Sequence, residues 1–503
     1  MDEEIKNKSD DIIDFARHKK VFLSKDALDI LFVRSDWRDI IEELASEGYF
    51  VVTKKDIEKK ATKTKIMLAE ETKAAEKAYE ASSQKLIQEQ APKNFKVIKT
   101  QNHANRGKGN GSADDFLELF RFKFNSLKSI LEQRHSIRAK PIKNFGYVKE
   151  NEELEVIGMV YRKWETKTGN TAIELEDLEG RCVVVLSKNE RGVSLDGQKV
   201  MLDDVICVRG VKIAKEMLLA KEIIWPDIPQ REMKLTKKDI CVASISDLHV
   251  GSKLFLEGAF QKFISWINGD AGSEEEKKFV KKIKYLFVTG DNVDGIGVYP
   301  KQYSELNIKS VKEQYDLFSD YMLQIPDSIE IFIIPGQHDA VRWADPQQPI
   351  PEKFVPKLYA AGNIHLLGSP SWVEIEGLKV LLYHGSCLHD LIASISGLSY
   401  DQPQYGVVEL LKRRCLMLTY GLSHPYAPEI SDYVIMKDSP DLVFMGDLHH
   451  TGYLTYRGTT IVNNSTWQDR TEYQIKLGHT PTPGIAIAMN LKDRKIYARM
   501  MVS

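Results

Sequence analysis

Residues 240–249 read ICVASISDLH, so an apolar and small run from Ile240 to Ile245 leads directly into Asp247-Leu248-His249. A short run of that kind, rich in β-branched side chains, predicts a strand. The abrupt change to a carboxylate and an imidazole predicts that the strand ends in chemistry. The pattern returns further along the chain. Tyr285–Val288 is followed by Gly290-Asp291, and Ile329–Ile334 by Gly336-Gln337-His338-Asp339. Val380–Tyr383 is followed by His384-Gly385, and Leu442–Met445 by Gly446-Asp447-Leu448-His449-His450. Helical spacing over Phe260–Ile267 and Lys309–Leu323 falls between some of these runs, so the expected fold is an α/β sandwich.

Ligands of open α/β sheets collect at the carboxyl ends of the strands, so five such turns are expected to converge on one crevice. Their glycines let a short turn swing a side chain over the strand end. Carboxylate oxygen, imidazole nitrogen and amide oxygen together suit Mn²⁺, Fe²⁺ or Zn²⁺ better than Mg²⁺ or Ca²⁺. A carboxylate such as Asp291 can bridge two cations, and a pair of ions roughly 3.5–4 Å apart suits phosphodiester hydrolysis. One Asp-x-His is a weak signal; five ordered motifs at strand ends are a strong one. Nine of the twelve histidines lie beyond residue 240, in the same part of the chain. With metal chemistry available, a thiol nucleophile at Cys387, beside His389 and Asp390, is not required.

The chain has 503 residues, more than one core usually organises, so two to four domains are expected. A net charge of −2 excludes a uniformly basic nucleic-acid coat, leaving DNA contact to a local patch or a partner chain. Five cysteines without a CxxC pair argue against a zinc knuckle or a disulfide framework and for a reducing compartment. The polar start MDEEIKNKSDD is unlike a secretion signal, and no apolar run approaches 18 residues, so a cytoplasmic protein without a membrane span is expected.

Four pieces follow. Residues 1–60 predict a small helical N-terminal module, with one helix opening at Ser24 and another over Trp37–Leu44. Residues 61–114 read as a charged flexible linker, in which Lys65–Gln90 is either a solvated helix or disorder. Residues 115–232 predict a helix followed by five short strands, the spacing of a small barrel such as an OB-fold. Tyr161, Arg162, Lys163 and Trp164 offer that barrel an aromatic and basic surface for single-stranded DNA, or it serves as scaffold alone. Residues 233–503 carry the metal-ligand motifs. The basic run Lys412-Arg413-Arg414 meets either phosphate or an acidic partner surface.

The ordered set resembles the calcineurin-like metallophosphoesterase superfamily, whose pattern is DxH, GD, GNH[DE], H, GHxH. The segments DGIGVYP, PGQHDAVRWADPQ, LYHGSCLHDLIASISGLSYDQP, ELLKRRCLMLTYG and NNSTWQDRTEYQIKLGHTPTPG narrow the likeness. With them the chain resembles the small subunits of archaeal family-D DNA polymerases over nearly its whole length. The resemblance implies a calcineurin-like phosphodiesterase sandwich behind an OB-fold. It implies two divalent metal ions, Mn²⁺ first, and 3′→5′ exonuclease activity on single-stranded or frayed DNA. It also implies a large catalytic subunit as partner. One ion would be held by Asp247, His249, Asp291 and His449, and the other by Asp291, Gln337, His384 and Asp447. His338 takes the position of the catalytic histidine, and Asp339 is expected to orient a neighbouring imidazole. Gln337 stands where Asn is usual and Asp447 where His is usual. Both departures fall on the second ion, and His450 would compensate only if its loop shifted by one residue. An inactive scaffold subunit that docks the large subunit is the alternative.

Overall fold

The computed structural model describes residues 11–32, 37–47, 51–53, 57, 94–100, 111–135, 137–430, 434–476 and 478–502. Two compact units divide the chain at residue 93. In the first, β1 (Phe22–Leu23) pairs in parallel with β2 (Val51–Val52), and helices span Lys25–Phe32 and Trp37–Ser46. Ser24 caps the first of these helices, its hydroxyl accepting from the Ala27 N–H at 3.2 Å. Trp37, Ile41 and Leu44 fall on one face of the second and share a core with Ile12, Ala27, Leu31 and Val52. The expected helical module therefore also contains a short sheet.

The linker expected over 61–114 needs correction at its end. Phe95–Thr100 forms β3, which pairs antiparallel with a strand near residue 373 at the edge of a six-stranded sheet. Phe95 and Val97 pack into that sheet's core, which outweighs the lysines between them. The residues expected as a solvated helix, 65–90, lie outside those described.

A long helix, Ala113–His135, opens with reciprocal bonds between Ser112 and Asp115. Beyond it lie β4 (Glu153–Glu165), β5 (Thr171–Glu176), β6 (Arg181–Leu186), β7 (Val205–Ala214) and β8 (Met217–Ile224). They close into a barrel in the order β4-β5-β6-β8-β7. Alternate residues such as Val156, Ile173, Val184, Ile206 and Leu218 fill its interior. Of the expected DNA-facing group, Lys163 is committed to the Gln198 and Val200 carbonyls. Tyr161 lies under the Arg181 guanidinium at 3.6 Å.

The remainder forms two sheets. The first contains β9 (Cys241–Ile245), β10 (Ile283–Thr289), β11 (Glu330–Ile334) and β12 (Ile364–Leu366), all parallel, with β18 (Ile485–Asn490) and β19 (Ile496–Met500) completing the order β12-β11-β10-β9-β18-β19. The second contains β13 (Ser371–Ile375), β14 (Leu378–Leu382), β15 (Leu442–Met445), β16 (Gly452–Tyr456) and β17 (Thr459–Asn463) in the order β16-β17-β15-β14-β13-β3, with β14, β15 and β17 parallel. Strand alternation explains the continuous apolar runs. Phe287, Phe332 and Ile334 meet Val380, Leu382 and Phe444 between the sheets. Leu286, Val288, Ile331 and Ile333 face outward onto Phe260, Phe263 and Phe318 of flanking helices.

The barrel and long helix pack on the outer side of the second sheet, joining Leu127, Ile157, Cys207, Leu381, Tyr383 and Leu410 in one core. Arg413 anchors that junction. Its guanidinium donates to Asp204 Oδ1 at 3.0 Å, to Glu409 Oε2 at 2.8 Å and to the Lys199 carbonyl at 2.6 Å. Arg414 donates to the Met436 and Lys437 carbonyls, and Lys412 pairs with Glu409. The basic run at 412–414 is thus internal glue, which corrects both the phosphate and the partner-surface alternatives. Arg413 and Asp204 are both buried, so Arg413→Ala is expected to cost about 3–5 kcal/mol by leaving the buried Asp204 carboxylate without its ion pair. The measurement is the urea midpoint at unchanged slope; a loss below about 1 kcal/mol, the range of an exposed pair, would contradict this account.

Candidate metal centre

The five motif-bearing turns leave β9, β10, β11, β14 and β15. In four of them the first chemical side chain, Asp247, Asp291, His384 or Asp447, stands two residues beyond the strand. Parallel pairing brings the strand ends level: Ile245 lies opposite Val288, Thr289 opposite Ile334, and Leu382 opposite Phe444. The turns therefore open at one edge of both sheets.

Two backbone features hold them there. Asp247, His249, Asp291, Asp447 and His449 all adopt left-handed φ, between 48° and 69°. Such conformations are uncommon for residues other than glycine and cluster where surrounding structure enforces them. Parallel hydrogen bonds continuing past the strands do so, from Asp247 N to Gly290 O and from His249 N to Asp291 O, each at 3.0 Å. Gly336 and Gly446 supply space rather than rotation. A Cβ at Gly336 would stand 2.7 Å from His384 Nε2, and one at Gly446 would stand 2.5 Å from Asp247 Oδ2.

The side chains converge. Asp247, His249 and His449 form one group whose ligand atoms lie within 4.8 Å of one another; His249, Asp291 and His338 form a second, and Asp247, Asp291 and His384 a third. Asp291 belongs to the second and the third. Its Oδ2 lies 3.4 Å from His384 Nε2, 3.9 Å from His249 Nε2 and 4.0 Å from His338 Nε2. Its Oδ1 accepts the His338 backbone N–H at 2.9 Å. His449 Nε2 lies 3.3 Å from Asp247 Oδ1, and His384 Nε2 lies 3.5 Å from Asp447 Oδ1.

The donor set fits a cation. His384 Nε2 and Asp247 Oδ1 are buried and make no hydrogen bond, although candidate ligands surround them. The imidazoles are oriented from behind. His384 Nδ1 lies 2.8 Å from the Thr289 carbonyl, and His249 Nδ1 lies 3.1 Å from Asp294 Oδ1. Both contacts call for a proton on Nδ1, which leaves the Nε2 lone pair turned into the cluster, the tautomer a metal requires. His249 Nε2 then faces His449 Nε2 at 3.0 Å, a contact that a shared proton or cation makes favourable.

The electrostatics agree. Burial pushes Asp291 up, but the neighbouring His384 and His338 outweigh it and hold its carboxyl well below the usual range. Burial lowers His384, yet Asp291, Asp247 and Asp447 together raise it well above an ordinary imidazole. His249 is lowered by burial and by its neighbours His338 and His449, against the pull of Asp294. The pocket thus favours positive charge near Asp291, and metal binding commonly displaces protons held in this way.

The other expected site residues lie as follows. His338 borders the cluster, with Nδ1 2.8 Å from the Asp294 carbonyl and its ring edge-on to His249. Gln337 turns its amide nitrogen to Asp447 Oδ1 at 2.9 Å, while its oxygen accepts the Trp343 indole N–H at 3.3 Å. Asp339 needs correction. Rather than orienting an imidazole, it accepts from the Gly336 N–H, from Asn292 and from the Tyr315 hydroxyl, tying the β10 and β11 turns together. Burial and the charge of Asp291 push its carboxyl up to about 6. His450 points to the Thr451 carbonyl and joins none of the groups. Cys387 is buried, and burial raises its thiol far above the ordinary value.

Sequence reasoning missed three supporting residues. Asp294 orients His249, the Gln474 amide lies 2.8 Å from His449 Nδ1, and His389 Nε2 lies 3.0 Å from Asp447 Oδ2. Asp294 could have been suspected from its place three residues beyond Asp291 on the same exit from β10. Gln474 and His389 carry no comparable local signal.

Among the described residues, no helix is long and apolar enough to cross a membrane. Residues 242–453 match the B-subunit family of DNA polymerases alpha and epsilon. The chain is similar to the DNA polymerase II small subunit of Methanocaldococcus jannaschii, at 39% identity over 76% of this chain and 64% of that protein. It is similar to that of Methanothermobacter thermautotrophicus at 37%, over 79% of this chain and 81% of that protein. The corresponding protein of Archaeoglobus fulgidus is 39% identical over 74% of each chain. On this similarity, carried across most of both sequences, the chain belongs to the family of archaeal DNA polymerase II small subunits, the family-D small subunits.

Proposed function

We propose that the chain is a metal-dependent 3′→5′ exodeoxyribonuclease that acts beside a large polymerase subunit in DNA replication. The observation that carries this reading is the convergence of three imidazoles on one carboxylate oxygen, Asp291 Oδ2, at the common edge of both sheets. In this reading the two-sheet sandwich is a calcineurin-like phosphodiesterase and the barrel is an OB-fold. The DNA substrate would be a single-stranded or frayed 3′ end. Five buried thiols, none in a disulfide, are compatible with a reducing cytoplasm.

Asp247, His249, Asp291 and His449 would hold one divalent ion, and Asp291, Gln337, His384 and Asp447 a second, with Mn²⁺ favoured over Fe²⁺ or Zn²⁺. When bound, such ions supply Lewis-acid stabilisation of charge developing on a phosphodiester. The protein's own groups do the rest. The Asp294 carbonyl holds His338 through Nδ1–H, leaving Nε2 free at the mouth of the cluster. Asp291 and Asp294 raise the His338 pKa against the opposing effect of burial, so the imidazolium can persist. As water adds to phosphorus and the bond to the 3′ oxygen breaks, protonated Nε2 would give its proton to that leaving oxygen. Asp294 serves two imidazoles, one through its carboxylate and one through its carbonyl.

A second reading keeps the fold and partner but not the reaction: a scaffold subunit that docks the large subunit. The Gln337 geometry favours it, because the amide oxygen expected to coordinate is turned towards Trp343.

His338→Ala is expected to lower 3′-end hydrolysis of a labelled oligonucleotide in Mn²⁺ by about 10²–10⁴-fold, with bound manganese unchanged by elemental analysis. Equal hydrolysis by the variant would remove His338 from the reaction. Mn²⁺ added to chelator-treated protein at about 100 times its Kd should raise stability by about 2.7 kcal/mol, read as an upward shift in Tm. Asp291→Ala should abolish the shift, and a flat wild-type titration would favour the scaffold.

A further inference from the structure

Trp343 is an indole left in the open beside the cluster. It is 56% exposed, in a protein that buries Trp37, Trp266, Trp372 and Trp467 almost completely. Its surroundings are not those of a loose loop. Arg342, the preceding residue, donates through Nε to the Pro346 carbonyl at 2.7 Å and through Nη2 to Glu429 Oε2 at 2.7 Å. Pairing between Asp345 and Tyr426 fixes the segment on its other side. The indole edge is anchored as well, since its N–H donates to Gln337 Oε1 at 3.3 Å. Through Gln337 it stands two hydrogen bonds from Asp447 Oδ1, which lies 3.5 Å from His384 Nε2. Gln337 itself sits in the turn that leaves β11, with His338 as the next residue. Polar contacts thus hold the edge of the ring while its apolar surface stays in solvent.

An exposed aromatic face held in place by its edge can receive a flat, apolar occupant. The neighbouring chemistry indicates which one, because a phosphodiester placed between His338 and the cluster carries a nucleobase on each side. We propose that Trp343 is a specificity-determining residue that stacks the 3′-terminal base of single-stranded DNA and so presents the last phosphodiester to His338. This inference rests on the exonuclease reading and names how its substrate is gripped. Stacking on an indole is tolerant of sequence, since every base has a π-face, and it acts only on a base freed from its pair. A frayed or mismatched end would therefore be favoured over a paired one, with discrimination coming from unpairing rather than from reading the base.

The test uses the full chain, with EDTA present so that nothing is cleaved, and a single-stranded oligonucleotide carrying 2-aminopurine at its 3′ terminus. The wild type should quench the terminal probe on binding, but not the same probe placed ten nucleotides from the end. Trp343→Ala should abolish the quench and weaken binding of the end by about 10-fold, the scale of one base stacked on an aromatic ring. Trp343→Phe keeps a stacking face but loses the N–H to Gln337, so it should retain most of the binding. Unchanged quenching in Trp343→Ala, with an unchanged melting temperature, would overturn the proposal. So would equal losses in the Ala and Phe variants, which would assign the effect to Gln337. A parallel assay with Mn²⁺ and a 3′-labelled strand separates the two readings. Terminal quenching without hydrolysis by the wild type would sink the nuclease and leave the stacking site. Hydrolysis with unaltered KM in Trp343→Ala would sink the stacking site and leave the nuclease.

Discussion

Negative charge buried at the meeting of two sheets is the constraint that organises this molecule. Asp247 and Asp291 are nearly inaccessible, and so are His249 and His384 beside them. An isolated carboxylate at such depth would be too costly to keep ionised. Here each stands within a few ångströms of imidazoles that are themselves oriented from behind by Thr289 and Asp294. The arrangement is stable only with positive charge among these groups, as protons or as metal ions. The residues in the surrounding shell act by denying these side chains any other geometry.

The strand runs were readable because both faces of each strand are buried. Tyr285-Leu286-Phe287-Val288 alternates between the inter-sheet core and the helical layer, so no polar residue interrupts it. The motifs were readable because parallel strands put every carboxyl end at the same edge. What escaped was set by distant pairing. Phe95–Thr100 looks like part of a lysine-rich connector, and only its partner near residue 373 makes it a strand. Two of the cluster's supporting residues escaped for the same reason. Gln474 reaches His449 from a separate helix, and the adjacent Leu388–Ser394 helix brings His389 to Asp447. Asp339 was assigned an imidazole because imidazoles are its neighbours in sequence, whereas space gives it Asn292, Gly336 and Tyr315.

The junction with the barrel follows a different logic. Its apolar part is large and unspecific, but Arg413 joins Asp204 on the barrel side to Glu409 on its own helix. A guanidinium has a fixed fork of donors, so it constrains angle as well as distance. A lysine in its place would neutralise the same carboxylates without fixing the barrel's orientation. The basic run that looked like a phosphate contact is therefore read better as an orientation device, and the barrel's free surface lies elsewhere.

The backbone at the cluster bears on Gln337 and Asp447, the two positions that depart from the pattern the sequence resembles. Asp447 holds φ at 69°, in the same left-handed region as Asp247, His249, Asp291 and His449. Aspartate and histidine are among the non-glycine residues that tolerate this region, so exchanging one for the other keeps the turn intact. The exchange shortens the reach and adds charge, and His389 lies against the added carboxylate at 3.0 Å. Gln337 is a different case. It has no left-handed backbone to satisfy, and its extra methylene lets the amide bridge Asp447 and Trp343. One departure conserves the strained backbone and recruits a neighbouring imidazole. The other links the cluster to the exposed indole. Both changes fall on the Asp447 side, while Asp247, His249 and His449 stay together as one group.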